Sequence, residues 1–530
     1  MRPGLRDAVI ALSISNLVVL NQWLRVLSLG AAESHYYLSS PIPAVTFLVP
    51  IVLVTVGATA AYAGLALARR LPPPWPMRCV RLLFVLATII GLLWMAVGVG
   101  MVEGRPNLVI LFGALAAVTA VLAIGAWRGR QWHRRVVPGA VAVVLLLSPL
   151  VPILFGQAVY HAATAEGFSA TLEAPPGAPL LPVDPGTPRV VWIVFDEFDE
   201  ELAFRQRPQG LELPAFDRLR EEAIVAEQAV ATHNSTLKAI PAMTTGRFVD
   251  RVVVTGPAEL TLDFEDGQAN VSWTEAPNVI QAAHERGYNV AVSGWAHPYC
   301  RLFASHVAQC AHRGLPAETR IDGWSQLERQ AMSVVRDVVP GLALEEALLG
   351  PVGVLDAVGQ EDRRAYFERH GELHEAASKW AADPTFGFVF VHYPVPHPAL
   401  PSPREGYYDP SSGRPVVGGS ASYFDNLALA DSTLADLRLQ MESAGLWNSS
   451  TVIVTSDHGY RTDLWKPAGP EGSAGENHIP LILKAPDQSA GRSHEPPINL
   501  VHMHDLVLAV MDGELETPES FASWFETRRA

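Results

Sequence analysis

The chain has 530 residues, 49% of them hydrophobic, and a formal net charge of -15. That length allows two or more domains, and the acidic balance excludes a nucleic-acid partner, which would call for a basic face. Apolar residues crowd into the first third, so two different kinds of chain are joined end to end.

Apolar stretches run from Ala8 to Leu29, Ile42 to Ala68, Leu82 to Val102, Leu108 to Trp127 and Val136 to Tyr160. Each is near the roughly 20 residues that span a bilayer, which predicts five transmembrane helices within residues 1–160. The first stretch contains Asn16, Asn21, Gln22 and Arg25, so an interfacial or signal-like helix is its alternative. No small-residue cleavage site follows it. Arg69, Arg70, Arg78 and Arg81 follow the second stretch, and Arg128, Arg130, Arg134 and Arg135 follow the fourth. The loop after the first, Gly30 to Ser40, has no Lys or Arg, and that after the third has only Arg105. Basic loops stay cytoplasmic, so the chain after the fifth span is exported. The expected location is the cell inner (cytoplasmic) membrane, multi-pass, with the C-terminal domain periplasmic or extracellular.

Residues 161–188 form the expected linker. From Leu172 onward it carries Pro175, Pro176, Pro179, Pro182, Pro185 and Pro188, an extended spacer that holds the next domain off the membrane. Residues 189–530 form that exported domain. Val190 to Phe195 reads as a strand, Leu213 to Ala223 and Val279 to Arg286 as helices, and Asn289 to Ser293 as a strand. Phe386 to His392, Thr451 to Val454 and Ile479 to Leu483 are further strands, with a long amphipathic helix from Ala421 to Gly445. The alternation predicts an α/β domain with a mainly parallel central sheet. Cys79 lies at a membrane edge, whereas Cys300 and Cys310 fall in the exported part. An oxidising compartment makes the last two an expected disulfide.

The strand from Arg189 ends in Asp196-Glu197, and the β-branched run from Thr451 ends in Asp457-His458-Gly459. Ligands in open α/β sheets gather at strand carboxyl ends, so two distant strands deliver Asp196, Asp457 and His458 toward one cation. Oxygen donors with an imidazole suit Zn2+ or Mn2+ and would also accept Mg2+ or Ca2+. Between these strands lies the hydroxyl-rich segment Thr232 to Arg247, which includes Lys238 and Pro241. Lysine is rare in this chain, so Lys238 is a candidate anion-binding group.

Together these segments resemble the alkaline phosphatase superfamily, over about Val190 to Val510. The likeness is to its sulfatase-like branch, which includes phosphoethanolamine transferases and lipoteichoic acid synthases. The resemblance implies that Thr236 opens a helix, joins the metal ligands and attacks phosphorus or sulfur, with Thr245-Gly246-Arg247 following at the family's spacing. Ser235 is the neighbouring alternative. Such a hydroxyl needs a metal or base to favour its alkoxide, and a helix N-terminus stabilises the anionic group under attack.

Sulfatases proper carry a Cys or Ser in a Cys-X-Pro-Ser-Arg setting; Thr236-Leu-Lys-Ala-Ile stands there in this chain, which is similar to the phosphoryl-handling members. Gly287 to His297 is similar to a Gly-Tyr...Gly-Lys-Trp-His strand, without the Lys before Trp295. Val391 to Pro398 and Glu476-Asn-His478 resemble two further histidine segments. The resemblance implies that His297, His392, His397 and His478 meet the substrate or a second metal. The function it implies is metal-dependent transfer of a phosphoryl-type group to or from a membrane lipid or lipid-linked glycan by an integral membrane protein. The alternatives are a sulfuric or phosphoric ester hydrolase on the same scaffold and a non-catalytic module that binds envelope polymer.

Overall fold

In the computed structural model, residues 3–29, 32–38, 42–72, 79–89, 91–92, 132–184, 186–314, 354–397, 408–409, 414–415, 420–460 and 478–528 are described. Backbone packing divides the chain into two units. One comprises Met1–Ser34, Pro41–Ala170 and Arg320–Val358; the other comprises His35–Ser40, Thr171–Thr319 and Gly359–Ala530.

In the first unit, the helices Pro3–Val18 and Leu20–Ser28 meet at 59°. The polar residues that interrupt this apolar stretch explain the bend: Trp23 Nε1 donates to Asn16 Oδ1 across the break at 2.9 Å. Two helices, Ala44–Arg70 and Val137–Ala165, are long and apolar enough to cross a bilayer, and the bent pair adds a third if it is one span. Asp7 would be costly in an apolar setting, and Arg69 pairs with it at 2.6 Å. The five spans expected from hydropathy thus become two, or up to three, among the described residues. Of the third stretch only a shorter helix, Cys79–Ile89, and residues 91–92 are described. The fourth lies outside the described residues.

In chain order the strands of the second unit are β1 (Arg189–Asp196), β2 (Ile224–Ala226), β3 (Ala229–Val230), β4 (Val249–Gly256), β5 (Glu259–Phe264), β6 (Val271–Ser272), β7 (Val290–Trp295), β8 (Gln309–Arg313), β9 (Phe388–Pro396), β10 (Tyr408–Asp409), β11 (Arg414–Pro415), β12 (Ser450–Ser456), β13 (Leu481–Lys484), β14 (Arg492–His494) and β15 (Ile498–Asn499). Eight of them make one sheet in the order β14-β2-β13-β12-β1-β9-β7-β8. It is parallel except at β13, which runs against both neighbours. Three small sheets, β4-β5-β6, β3-β15 and β10-β11, lie beside it in sequence.

β1 is buried along its whole length. Val190, Trp192 and Val194 join one apolar cluster, and Val191, Ile193 and Phe195 join the other. A parallel strand covered on both faces requires such an unbroken apolar run. Helices Thr236–Thr245, Val279–Glu285 and Met503–Met511 contribute to the first cluster. Helices Pro214–Glu222, Val354–Ala381 and Ser420–Ser443 contribute to the second. Registry sets Phe195 opposite Ser456, and Val194 opposite both Thr455 and His392. The chain therefore leaves β1 and β12 side by side, with Asp196 and Asp457 as neighbours.

The proline-rich stretch runs without helix or strand from Glu173 to Pro188 wherever it is described, but it is not a free spacer. The Asn289 side chain accepts from the Leu181 N–H at 2.7 Å and donates to the Leu181 carbonyl at 2.9 Å. The Ala178 N–H donates to the Val307 carbonyl at 2.9 Å. Cys300 and Cys310 are joined as a disulfide, with Cα atoms 5.5 Å apart. The second unit also takes in residues 35–38, which hydropathy assigns to a loop between apolar stretches: Tyr36 is fully buried within its first apolar cluster.

Candidate active site

Asp196 is the last residue of β1, where the strand ladder with β9 slips by a bulge. The next residue, Glu197, adopts a left-handed conformation (φ 64°) that is unusual outside glycine. The Tyr423 hydroxyl holds this turn by donating to the Glu197 carbonyl at 2.8 Å and accepting from the Asp199 N–H at 3.0 Å. The turn aims the Glu197 N–H at Asp457 Oδ1, 3.2 Å away. Asp457 Oδ1 also accepts from the His458 N–H at 2.8 Å. Its other oxygen, Oδ2, is buried with no hydrogen-bond partner. A buried carboxylate oxygen left in that state demands a cation or a proton.

His458 Nδ1 lies 3.0 Å from the Gly459 carbonyl. A carbonyl only accepts, so Nδ1 carries the proton and Nε2 presents a lone pair. That Nε2 is 3.4 Å from Asp457 Oδ2, 3.7 Å from Asp196 Oδ1 and 3.2 Å from Thr236 Oγ1. Thr236 Oγ1 is also 3.4 Å from Asp196 Oδ1. Asp196 Oδ2 accepts from the Trp295 indole N–H at 2.8 Å, which orients the carboxylate. Burial alone would raise the Asp457 pKa, but the imidazoles of His458 and His392, the Thr236 hydroxyl and the Glu197 N–H outweigh it and hold it below the ordinary value.

Thr236 is the first residue of its helix, after Ser235 in extended conformation. Its hydroxyl therefore stands where free backbone N–H groups and the positive end of the helix dipole face an anion. The helix ends at Thr245 with Gly246 in the left-handed conformation (φ 68°), as the Thr-Gly-Arg turn demands.

The residue model of the sulfatase family, described as "Sulfatase", matches residues 188–513. The chain belongs to the sulfatase family. As a sulfatase-like member of the alkaline phosphatase superfamily it is a hydrolase-type enzyme, in a family that generally uses divalent metal. Among solved structures it is similar to phosphonate monoester hydrolase of Agrobacterium radiobacter, at 17% identity and TM-score 0.40, covering 63% of this chain and 78% of that one. It is also similar to the PsFucS1 sulfatase from Pseudoalteromonas sp., at 16% identity and TM-score 0.39, covering 65% and 75%. A third likeness is to a protein in the alkaline phosphatase superfamily from Vibrio parahaemolyticus, at 14% identity and TM-score 0.37, covering 63% and 68%. No curated protein matches the chain.

In this sulfatase-family site, Asp196, Asp457 and His458 bring one ligand atom each within 4.8 Å of one another, all buried. The unpartnered Asp457 Oδ2 and the lone pair on His458 Nε2 fit a divalent cation. Among the described residues no second group of this kind is found. His397 Nε2 sits 3.9 Å from Glu197 Oε1 and is partly exposed. His478 forms an isolated bridge with Val230, and its carbonyl accepts from the Glu200 N–H at 3.3 Å. His392 is fully buried on β9, with Nδ1 3.0 Å from the Tyr299 hydroxyl. Burial pushes its pKa down to about 4, with Asp457 opposing and His458 adding to the shift. His297 Nε2 lies 3.1 Å from the Thr236 carbonyl, and burial pushes its pKa down to about 3. The Lys238 ammonium donates to the Asp250 carbonyl.

Sequence reasoning did not single out Trp295, Tyr423 or Tyr36 as site residues. Trp295 lies within the Gly287 to His297 motif at the carboxyl end of β7, and that place was its available signal. Tyr423 and Tyr36 had none, because their partners are 226 and 261 residues away in the chain.

Proposed function

We propose that this sulfatase-family enzyme is membrane-anchored and metal-dependent, and that it transfers a phosphoryl-type group to or from an envelope lipid or lipid-linked glycan through Thr236. The observation that carries the reading is the approach of Thr236 Oγ1 to both Asp196 Oδ1 and His458 Nε2 at a helix N-terminus. Asp196, Thr236, Asp457 and His458 would hold the cation, with Zn2+ or Mn2+ suiting the donors best. Bound there, it would supply Lewis-acid stabilisation of charge on the attacked group and favour the Thr236 alkoxide.

The chain's own residues do the rest. With its proton released to water, Thr236 Oγ1, held beside Asp196 Oδ1, forms a bond to phosphorus as the bond to the leaving oxygen breaks. His397, partly exposed and near Glu197, protonates that oxygen. The free N–H groups at the start of helix Thr236–Thr245 face the anionic oxygens. An acceptor hydroxyl then gives its proton to His397 and displaces Thr236, whose oxygen takes a proton back from water. His392 and His478 border the substrate.

Two or three apolar helices support membrane anchoring. Export of the catalytic unit is supported by the arginine-rich loops and by residues 35–38, which belong to that unit and lie in the Lys- and Arg-free stretch Gly30 to Ser40. A second reading, hydrolysis of a phosphate or sulfate ester with water as the acceptor, is favoured by the family match itself. Mass spectrometry of the full chain, incubated with Zn2+ or Mn2+ and a membrane lipid extract, tests the covalent route. A phosphate or phospho-head-group adduct on the Thr232 to Arg247 peptide is the expected result. An unmodified peptide in an active, metal-loaded enzyme would overturn the covalent route and favour direct ester hydrolysis.

A further inference from the structure

Tyr36 precedes the catalytic domain by some 150 residues of chain, yet its ring is fully buried in the cluster that also holds Trp192, Trp273 and Tyr299. Its hydroxyl lies 2.7 Å from His297 Nδ1, and the two rings meet edge to face. On the other side of the same imidazole, Nε2 lies 3.1 Å from the main-chain carbonyl of Thr236. Because a carbonyl can only accept, Nε2 carries the proton. In the neutral ring Nδ1 must then accept, and the Tyr36 O–H donates to it. The three groups form a directional chain from Tyr36 through His297 to the first residue of the helix that carries the hydroxyl.

The segment is fastened for this purpose. Arg301, itself only 6% exposed, donates to the carbonyls of His35, Tyr36 and Leu38, and also to that of Leu172. One guanidinium thus collects two stretches of backbone that flank the apolar helices in sequence and ties both to the helix bearing Cys300. A buried arginine spending its donors on main-chain carbonyls serves to fix a segment of backbone.

We propose that Tyr36 is a positioning residue for the Thr236 nucleophile, acting through His297. The assignment rests on the reading of Thr236 given above. Anchoring the Thr236 carbonyl sets the pitch of the first helical turn, and with it the direction of the Thr236 side chain toward Asp196 and His458. Small displacements of a reacting group cost large factors in rate. The N-terminal third of the protein would therefore complete the site as well as anchor it, and a domain cut free after the linker would lack the hydroxyl that orients its nucleophile.

The test uses the full chain in detergent with Zn2+ or Mn2+ supplied. The probe is whichever of 4-nitrophenyl phosphate, bis(4-nitrophenyl) phosphate and 4-nitrophenyl sulfate the wild type turns over fastest. Tyr36→Phe keeps the ring and removes the hydroxyl. It should lower kcat about 10-fold, with KM within about two-fold and the thermal midpoint within about 2 °C of wild type. His297→Phe should reproduce the loss, and adding Tyr36→Phe to it should change kcat less than about two-fold, as expected for residues acting in series. Wild-type kcat in Tyr36→Phe, a fall in kcat matched by a fall in thermal midpoint, or multiplicative losses in the double variant would each overturn the relay. Thr236→Ala separates this from the underlying reading. If it is inactive while Tyr36→Phe is unimpaired, only the relay falls; if Thr236→Ala is fully active, the nucleophile itself is wrong.

Discussion

Asp196 illustrates how much of a site can hang on one uncharged neighbour. Its Oδ1 faces Thr236 and His458, and its orientation is set by the Trp295 indole on Oδ2. Partners that orient a metal-binding carboxylate typically contribute a 10- to 100-fold factor to metal affinity. Trp295→Phe should therefore weaken Zn2+ binding by about that factor, read by competition with a chromogenic chelator, while the α/β domain stays folded. Glu200 offers a test of stability instead. It is 1% exposed, with Oε1 3.2 Å from Arg220 and Oε2 unpartnered, and burial raises its pKa from 4.5 to about 7. The folded state thus holds its proton to higher pH than the unfolded chain. The stabilisation this gives is fully present below pH 4.5 and is lost as pH rises toward 7, on the order of 3 kcal/mol. Comparing urea midpoints at pH 5 and pH 8, Glu200→Gln should show a smaller drop than wild type; an equal drop would mean that Glu200 is ionised in the fold.

At the scale of elements, the carboxyl edge of the sheet gathers the chemistry and the amino edge supplies the fastening. Arg189, the first residue of β1, donates to the carbonyls of Phe386, Trp380 and Ala381 and to Ser450 Oγ. These partners precede β9 or open β12, so one side chain aligns three strands that later deliver Asp196, His392 and Asp457. Arg189→Leu would leave buried carbonyls unpaired, at about 1–3 kcal/mol each. A loss of roughly 3–5 kcal/mol in the denaturation free energy is expected. Gly294 marks the opposite end of β7, where an added Cβ would fall 2.0 Å from the Tyr299 ring. Gly294→Ala should displace Tyr299 from His392 and cost about 1–3 kcal/mol or more, seen as a lowered thermal midpoint with reduced turnover. Periodicity reads such strands well: the runs from Val190, Asn289, Phe386 and Thr451 are all strands of the sheet. It missed β2 and β14, three-residue segments too brief to show a period, and the edge strand β8, whose residues are mostly polar.

For the whole molecule, a cation bound by Asp196, Asp457 and His458 would relieve the repulsion between two buried carboxylates. Exhaustive chelation should accordingly lower the thermal midpoint of the full chain by roughly 5 °C or more, reversed by Zn2+ or Mn2+; an unchanged midpoint would argue against a resident metal. The sequence by itself determined the class of fold, the apolar N-terminal helices and the candidate ligands Asp457, His458 and Asp196, because each is written in a local pattern: an apolar run with a polar end. Thr236 was legible only through its likeness to a family, since a hydroxyl before a helix is otherwise an ordinary cap. Only the tertiary structure decided that Trp295 orients Asp196, that Glu197 turns left-handed to serve Asp457, and that Tyr36, which falls between two apolar stretches in sequence, meets His297. Those are contacts across 99, 260 and 261 positions of chain, and hydrogen bonds of that span leave no periodicity or composition in the residues that make them.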